Sequence, residues 1–252
     1  MVQSDHFVLT WQKESCMNWL LLAIAPGIAI SFYIILKDEY NKEPRKHLLI
    51  SFLLGLVAIL PALIIETILG SLETGPFYNS IPGIATKAFF SIAMVEELAK
   101  FMMLYTYAYR QPEFDEPFDG IVYAVMVGMG FATLENIFYV YEYGMLTGWV
   151  RMFMAVPAHA SFAILMGYHL GKAKFDRRTE KKQIILGIFW ATLFHGSYDF
   201  FLFLQENKMV VENTSSFLLI IGAIASLIVG IVLSKKAINA HLSVSKIFNS
   251  TQ

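Results

Sequence analysis

A chain of 252 residues with 56% hydrophobic and 15% charged residues, and a mean hydropathy of +0.55, lies outside the range of soluble domains. A net charge of -1 with no basic stripe argues against a nucleic-acid partner. The lone Cys16 excludes an internal disulfide and a cysteine-rich metal centre.

The composition instead describes a membrane protein. Seven windows are long and apolar enough to cross a ~30 Å hydrocarbon layer as helices: 17–36, 47–69, 84–109, 119–141, 150–171, 184–204 and 216–233. The expected fold is an all-α, polytopic transmembrane bundle. No repeat, low-complexity run or long linker divides it, so residues 1–252 are expected to form one integral-membrane domain.

Residues 1–16 carry Asp5, Lys13 and Glu14 where a signal peptide has a basic region, and the apolar run that follows is too long for one. The first window therefore reads as a retained span, with Trp11 and Trp19 suited to the membrane interface. Pro26 and Pro61 fall inside the first two windows, where neighbouring helices can absorb the freed carbonyls. Glu66, Lys87 and His169 lie near window ends and are expected to snorkel, whereas Asp119 and Glu142 at loop junctions are expected to be solvated. Small residues four apart, Ala124 with Gly128 and Gly167 with Gly171, predict close helix packing.

The third window contains "SIAMVEELAK", with Glu96, Glu97 and Lys100 in an apolar setting. Glu135 lies in the fourth window, His159 in the fifth, and His195 with Asp199 in the sixth. A charged Asp, Glu or Lys at mid-bilayer costs about 2.5–3.5 kcal/mol, so these groups should meet in one polar cavity. Lys100 follows Glu97 by three residues and Glu96 by four, which places it beside both on an α-helix; His195 and Asp199 share a face in the same way.

Lysine and arginine fix an expected orientation. "KDEYNKEPRK", "RQPEF", "KAKFDRRTEKKQ" and the tail after Leu233 carry four, one, six and three, while the alternate loops and N-tail contribute only Lys13, Arg151 and Lys208. The positive-inside rule then puts the N-terminus outside and the C-terminus in the cytoplasm. Counted from the outer ends, the buried ionisable groups lie at roughly 10–20 Å depth, at one level in the outer half of the bilayer.

One glutamate of the pair should bind Lys100, leaving the other to accept a proton from water. An imidazole could donate to a developing oxyanion, with Asp199 orienting His195 or donating as an acid. These are the parts of a hydrolase. Ser197 lacks a nucleophile elbow, an aspartyl dyad lacks its second Asp, and H-E-x-x-H is absent. Glu96 or Glu97, Glu135, His159 and His195 could alternatively ligate zinc.

"EELAK", "FATLENIFY", "VPAHASFAILMG" and "HGSYD", in that order between about residues 85 and 204, resemble the PrsW family of bacterial intramembrane proteases. The chain also looks like a distant relative of the CAAX-prenyl endopeptidase and bacteriocin-immunity (Abi) superfamily. It departs from that superfamily in EExxK for EExxxR, Glu135 for His and Asp199 for Asn. The PrsW resemblance implies that Glu96 and Glu97 activate water, Glu135 and His159 complete the site, and His195 and Asp199 hold the oxyanion. Lys100 and Asn136 fall in the same motifs as supporting residues. It further implies a multi-pass protein of the bacterial cytoplasmic membrane. Its implied substrate is membrane-anchored, such as an anti-sigma factor cut on its extracytoplasmic side, and no cofactor is called for, with zinc as the minority reading. A proton- or ion-coupled transporter is the rival use of the same buried charges, and a membrane scaffold is the third.

Overall fold

The computed structural model describes the backbone of residues 2–250 and the side chains of residues 18–247. The expectations for Cys16 and the Trp11 side chain lie outside the described residues. Every regular element among them is helical: α1 (Val2–Lys37), α2 (Arg45–Leu72), α3 (Ile81–Thr86), α4 (Met94–Thr106), α5 (Asp119–Tyr143), α6 (Met145–Phe153), α7 (Ala155–Phe175), α8 (Glu180–Leu204), α9 (Lys208–Asn213) and α10 (Ser216–Ser250). The protein is an all-α helical bundle.

Six stretches are long and apolar enough to cross a membrane: Asn18–Lys37, Arg45–Leu72, Asp119–Tyr143, Met145–Phe175, Glu180–Leu204 and Ser216–Ile247. The third sequence window is also helical, but α3 passes into a π-helical segment, Lys87–Ala93, and then into α4. The Met94 N–H reaches back five residues to the Phe89 carbonyl. Such π turns inside α-helices are frequent at functional sites, and this one lies immediately before Glu96 and Glu97.

The packing inverts the soluble pattern. On α2 the large residues Leu49, Leu53, Leu60, Ile64 and Ile68 are exposed, while Ser51, Gly55, Ala58 and Ala62 are buried. Lipid solvates the large apolar face, and small residues let backbones approach. A Cβ added at Gly120 on α5 would collide with the Gly167 carbonyl of α7, and one at Gly171 with the Pro117 carbonyl. This contact fulfils the packing role expected of Gly167 and Gly171. With α1 and α2 on other sides, α5 becomes the central helix, buried almost continuously from Asp119 to Thr133.

Two local features position the site. Gly144, at φ 83°, occupies a conformation that L side chains rarely adopt and lets the chain reverse between α5 and α6. That reversal returns Arg151 toward Glu135. Asp119 is not solvated, contrary to expectation: it is fully buried, because the preceding loop folds over the start of α5 and the N–H groups of Asp115 and Glu116 donate to its Oδ2 at 2.9 and 2.7 Å.

Candidate active site in the bundle

The ionisable residues scattered over four sequence windows converge. On α4, Lys100 Nζ donates to Glu96 Oε2 at 3.0 Å and to Glu97 Oε1 at 2.8 Å, the i,i+4 and i,i+3 pairings that helical spacing demands. The ammonium also lies 3.3 Å from His159 Nδ1 on α7 and 4.0 Å from the centroid of the Phe131 ring on α5. Glu96, Glu97 and Lys100 are all buried.

From α8, His195 Nδ1 lies 2.9 Å from Glu97 Oε1, and its Nε2 lies 3.2 Å from Asp199 Oδ2 and 3.9 Å from Glu96 Oε2. The imidazole stacks on Phe162 at 4.9 Å between centroids and meets His159 edge-on at 5.1 Å. Gly196 allows this approach on the other flank: a Cβ there would collide with the ring of Phe89, carried by the π segment. The sequence thus makes room for an imidazole held on both nitrogens by carboxylates.

Glu135 forms a second charged pair. Its Oε1 lies 2.9 Å from Arg151 Nη2, and its Oε2 lies 2.7 Å from His159 Nε2. Arg151 Nε donates to Asn136 Oδ1 at 3.0 Å, Asn136 Nδ2 donates to the Ala23 carbonyl at 2.9 Å, and the guanidinium lies over the Tyr139 ring. Asn136 therefore ties this pair to α1. Four carboxylates (Glu96, Glu97, Glu135 and Asp199) face two permanent cations, Lys100 and Arg151. The net charge of the group then depends on protons held by two imidazoles or on a bound cation.

These groups open on a cavity of about 450 Å³. Glu96, Glu135, His159, His195 and Asp199 line it; Glu97 and Lys100 sit behind its wall. Further polar residues line it that depth along the sequence did not single out, among them Glu66, Arg151 and Tyr198. Glu66 is expected to snorkel, but its Oε1 is buried and accepts no hydrogen bond from the described residues. Arg151 belongs to an apolar window, a signal masked by its nearness to the loop, where it counted as a flanking charge.

Glu96, Glu97, His159 and His195 each offer a ligand atom, and the four atoms lie within 4.8 Å of one another. Two imidazoles with two carboxylates match the donor chemistry of zinc, so the residues fit a divalent metal. Glu135 is engaged by Arg151 and stands outside this group, and Lys100 Nζ occupies the position between three of its donors.

The family described as "PrsW family intramembrane metalloprotease" matches residues 43–239. "Protease PrsW" of Bacillus subtilis is 40% identical over 187 residues, covering 73% of this chain and 82% of that relative. The Geobacillus kaustophilus protein of the same name is 38% identical over 183 residues, with 73% and 79% covered. The one from Clostridioides difficile is 31% identical over 201 residues, with 77% and 83% covered. No solved structure matches. Matched along most of its length, and folded as a multi-pass bundle with buried acid and imidazole groups, this chain belongs to the PrsW family of bacterial membrane proteases.

Proposed function

We propose that the protein is an intramembrane endopeptidase that hydrolyses a peptide bond of a single-span membrane protein, with Glu96 taking the proton of the attacking water. One observation carries the assignment: of the two adjacent glutamates, Glu96 lines the cavity, while Glu97 is held behind it by Lys100 and His195. A carboxylate facing a cavity that can hold water is the group able to act as general base.

The step balances with residues of this chain. As the water oxygen bonds to the peptide carbonyl carbon, its proton passes to Glu96 and the carbonyl electrons move onto oxygen. His195 Nε2, held on the cavity wall between Asp199 and Glu96, donates to the developing oxyanion. When the C–N bond breaks, the proton on Glu96 goes to the departing amine. Glu97 and Asp199 orient His195, and Arg151 with Asn136 orients Glu135, which in turn holds His159.

The family description favours a second reading, in which Glu97, His159 and His195 hold a zinc ion beside Glu96. Bound there, zinc supplies Lewis acidity toward a peptide carbonyl and toward water. Lys100 would then have to leave its present donors. Retention of cleavage after exhaustive chelation supports the first reading; loss restored by zinc supports the second.

The cleaved side is part of the proposal. Glu66, Glu135 and Asp199 all lie nearer the C-terminal ends of α2, α5 and α8, which lead into segments poor in lysine and arginine. With the positive-inside rule this favours an extracytoplasmic-facing cavity, an N-terminus outside and a seven-span count that includes residues 81–106. A membrane-anchored anti-sigma factor cut on that side is the substrate implied by the family resemblance. The test is a panel of fluorescently tagged single-span proteins incubated with purified protein in liposomes. Two fragments from a panel member are expected. No fragment from any, with folded protein conducting protons, would return the cavity to a transporter.

A further inference from the structure

A second cluster of buried acids lies at the opposite end of α5, sixteen residues before Glu135 and so roughly 24 Å away along the helix. The chain leaves α1 at Lys37, crosses residues 38–44 and enters α2, while residues 111–118 cover the start of α5. Between these segments Asp38, Glu43, Glu116 and Asp119 are buried, with Asp38 and Glu116 2% exposed and Asp119 0%. Ligand atoms of Asp38, Glu116 and Asp119 lie within 4.8 Å of one another.

Two of these carboxylates are half used. Asp38 Oδ2 accepts the Glu43 N–H at 3.1 Å, and Asp119 Oδ2 accepts the N–H groups of Asp115 and Glu116. The second oxygen of each, Asp38 Oδ1 and Asp119 Oδ1, is buried and accepts no hydrogen bond from the described residues. Backbone amides thus fix the carboxylates and leave one bare oxygen on each. A buried acceptor without a partner costs about 1–3 kcal/mol, more when charged, so two side by side call for a ligand.

The membrane cavity supplies Lys100 and Arg151 to its carboxylates; here no salt bridge reaches Asp38 or Asp119 among the described residues. Lys174, the nearby candidate, donates to the Tyr109 carbonyl and lies over the Tyr109 and Phe114 rings. The Tyr123 hydroxyl donates to the Glu43 carboxylate beside this group. All-oxygen donors without imidazole or thiolate select hard cations.

We propose that Asp38, Glu116 and Asp119 form a structural site for a hard divalent cation, Ca²⁺ or Mg²⁺, that ties the 38–44 segment to the start of α5. Three carboxylates in a nearly dry setting suit Ca²⁺, which takes six to eight oxygens; Mg²⁺ keeps several waters and is the weaker expectation.

The test uses the full chain purified in detergent, stripped with EDTA, and probed with Mn²⁺ by electron paramagnetic resonance and with Ca²⁺ and Mg²⁺ by thermal melting. Expected results are a Mn²⁺ site displaced by Ca²⁺ and a melting temperature raised by about 5–10 °C at cation a hundredfold above its Kd. Both should be lost in Asp38→Asn and Asp119→Asn and kept in Glu97→Gln, which alters only the membrane cavity. Should Asp119→Asn fail to fold, Asp38→Asn gives the reading, because its remaining oxygen can still accept the Glu43 N–H. Mn²⁺ binding that survives Asp38→Asn, or that vanishes only in Glu97→Gln, overturns the proposal. So does melting insensitive to both Ca²⁺ and Mg²⁺.

Discussion

Lys100 Nζ lies 2.8 Å from Glu97 Oε1, and both groups are almost wholly enclosed. Removing one partner of such a pair leaves the other as a buried, uncompensated charge, which costs about 3–5 kcal/mol. Lys100→Met should therefore destabilise the protein by that order and reduce expression. Glu97→Gln leaves Glu96 to hold the ammonium and should destabilise less. Denaturation of the two variants in matched micelles checks the ranking; equal stability of Lys100→Met and wild type would refute the pairing.

Arg151 and Glu135 couple in the same manner across the Gly144 reversal, with Nη2 and Oε1 2.9 Å apart. Arg151→Met should cost cleavage as well as stability, since Glu135 then loses the partner that aims it at His159. Combining Arg151→Met with Glu135→Gln should recover part of the stability without recovering activity. A double-mutant cycle should give a coupling energy of about 0.5–3 kcal/mol, whereas additive effects would separate the two residues.

The close glycine contact between α5 and α7 carries no chemistry and should behave differently. Gly120→Val would drive methyl groups into the Gly167 carbonyl of α7, an overpacking that typically costs about 1–3 kcal/mol and occasionally more. Cleavage per folded molecule should stay near wild type. Activity lost from fully folded variant would place Gly120 in the working parts of the enzyme.

Much of this site was legible because lipid makes charge conspicuous. Glu96, Glu97, Lys100, His159, His195 and Asp199 stand out in apolar windows, and the structure gathers them as the cost of burial requires. Glu66 and Arg151 escaped the same test because each lies near a window end, where a long side chain could reach water; only the packing of α2, α5 and α6 turns them inward. Asp119 was misread for a related reason: a junction position carries no sign that residues 111–118 fold over it. The π segment before Glu96 was also hidden, since Lys87–Ala93 has the composition of an ordinary helix. Helix periodicity gives neighbours along one helix, but the choice of Glu96 over Glu97 needed the placement of α8 and the cavity.

The central claim is that Glu96 takes the proton of the attacking water, and it rests on one carboxylate. The most direct measurement is the initial rate of cleavage of a tagged single-span substrate in liposomes by wild type and Glu96→Gln, matched for folding by their melting curves. General-base catalysis predicts a loss of about 10²–10⁴-fold in rate for Glu96→Gln with little change in melting temperature. Cleavage by folded Glu96→Gln at the wild-type rate would contradict the account and move the proton-accepting role to another group.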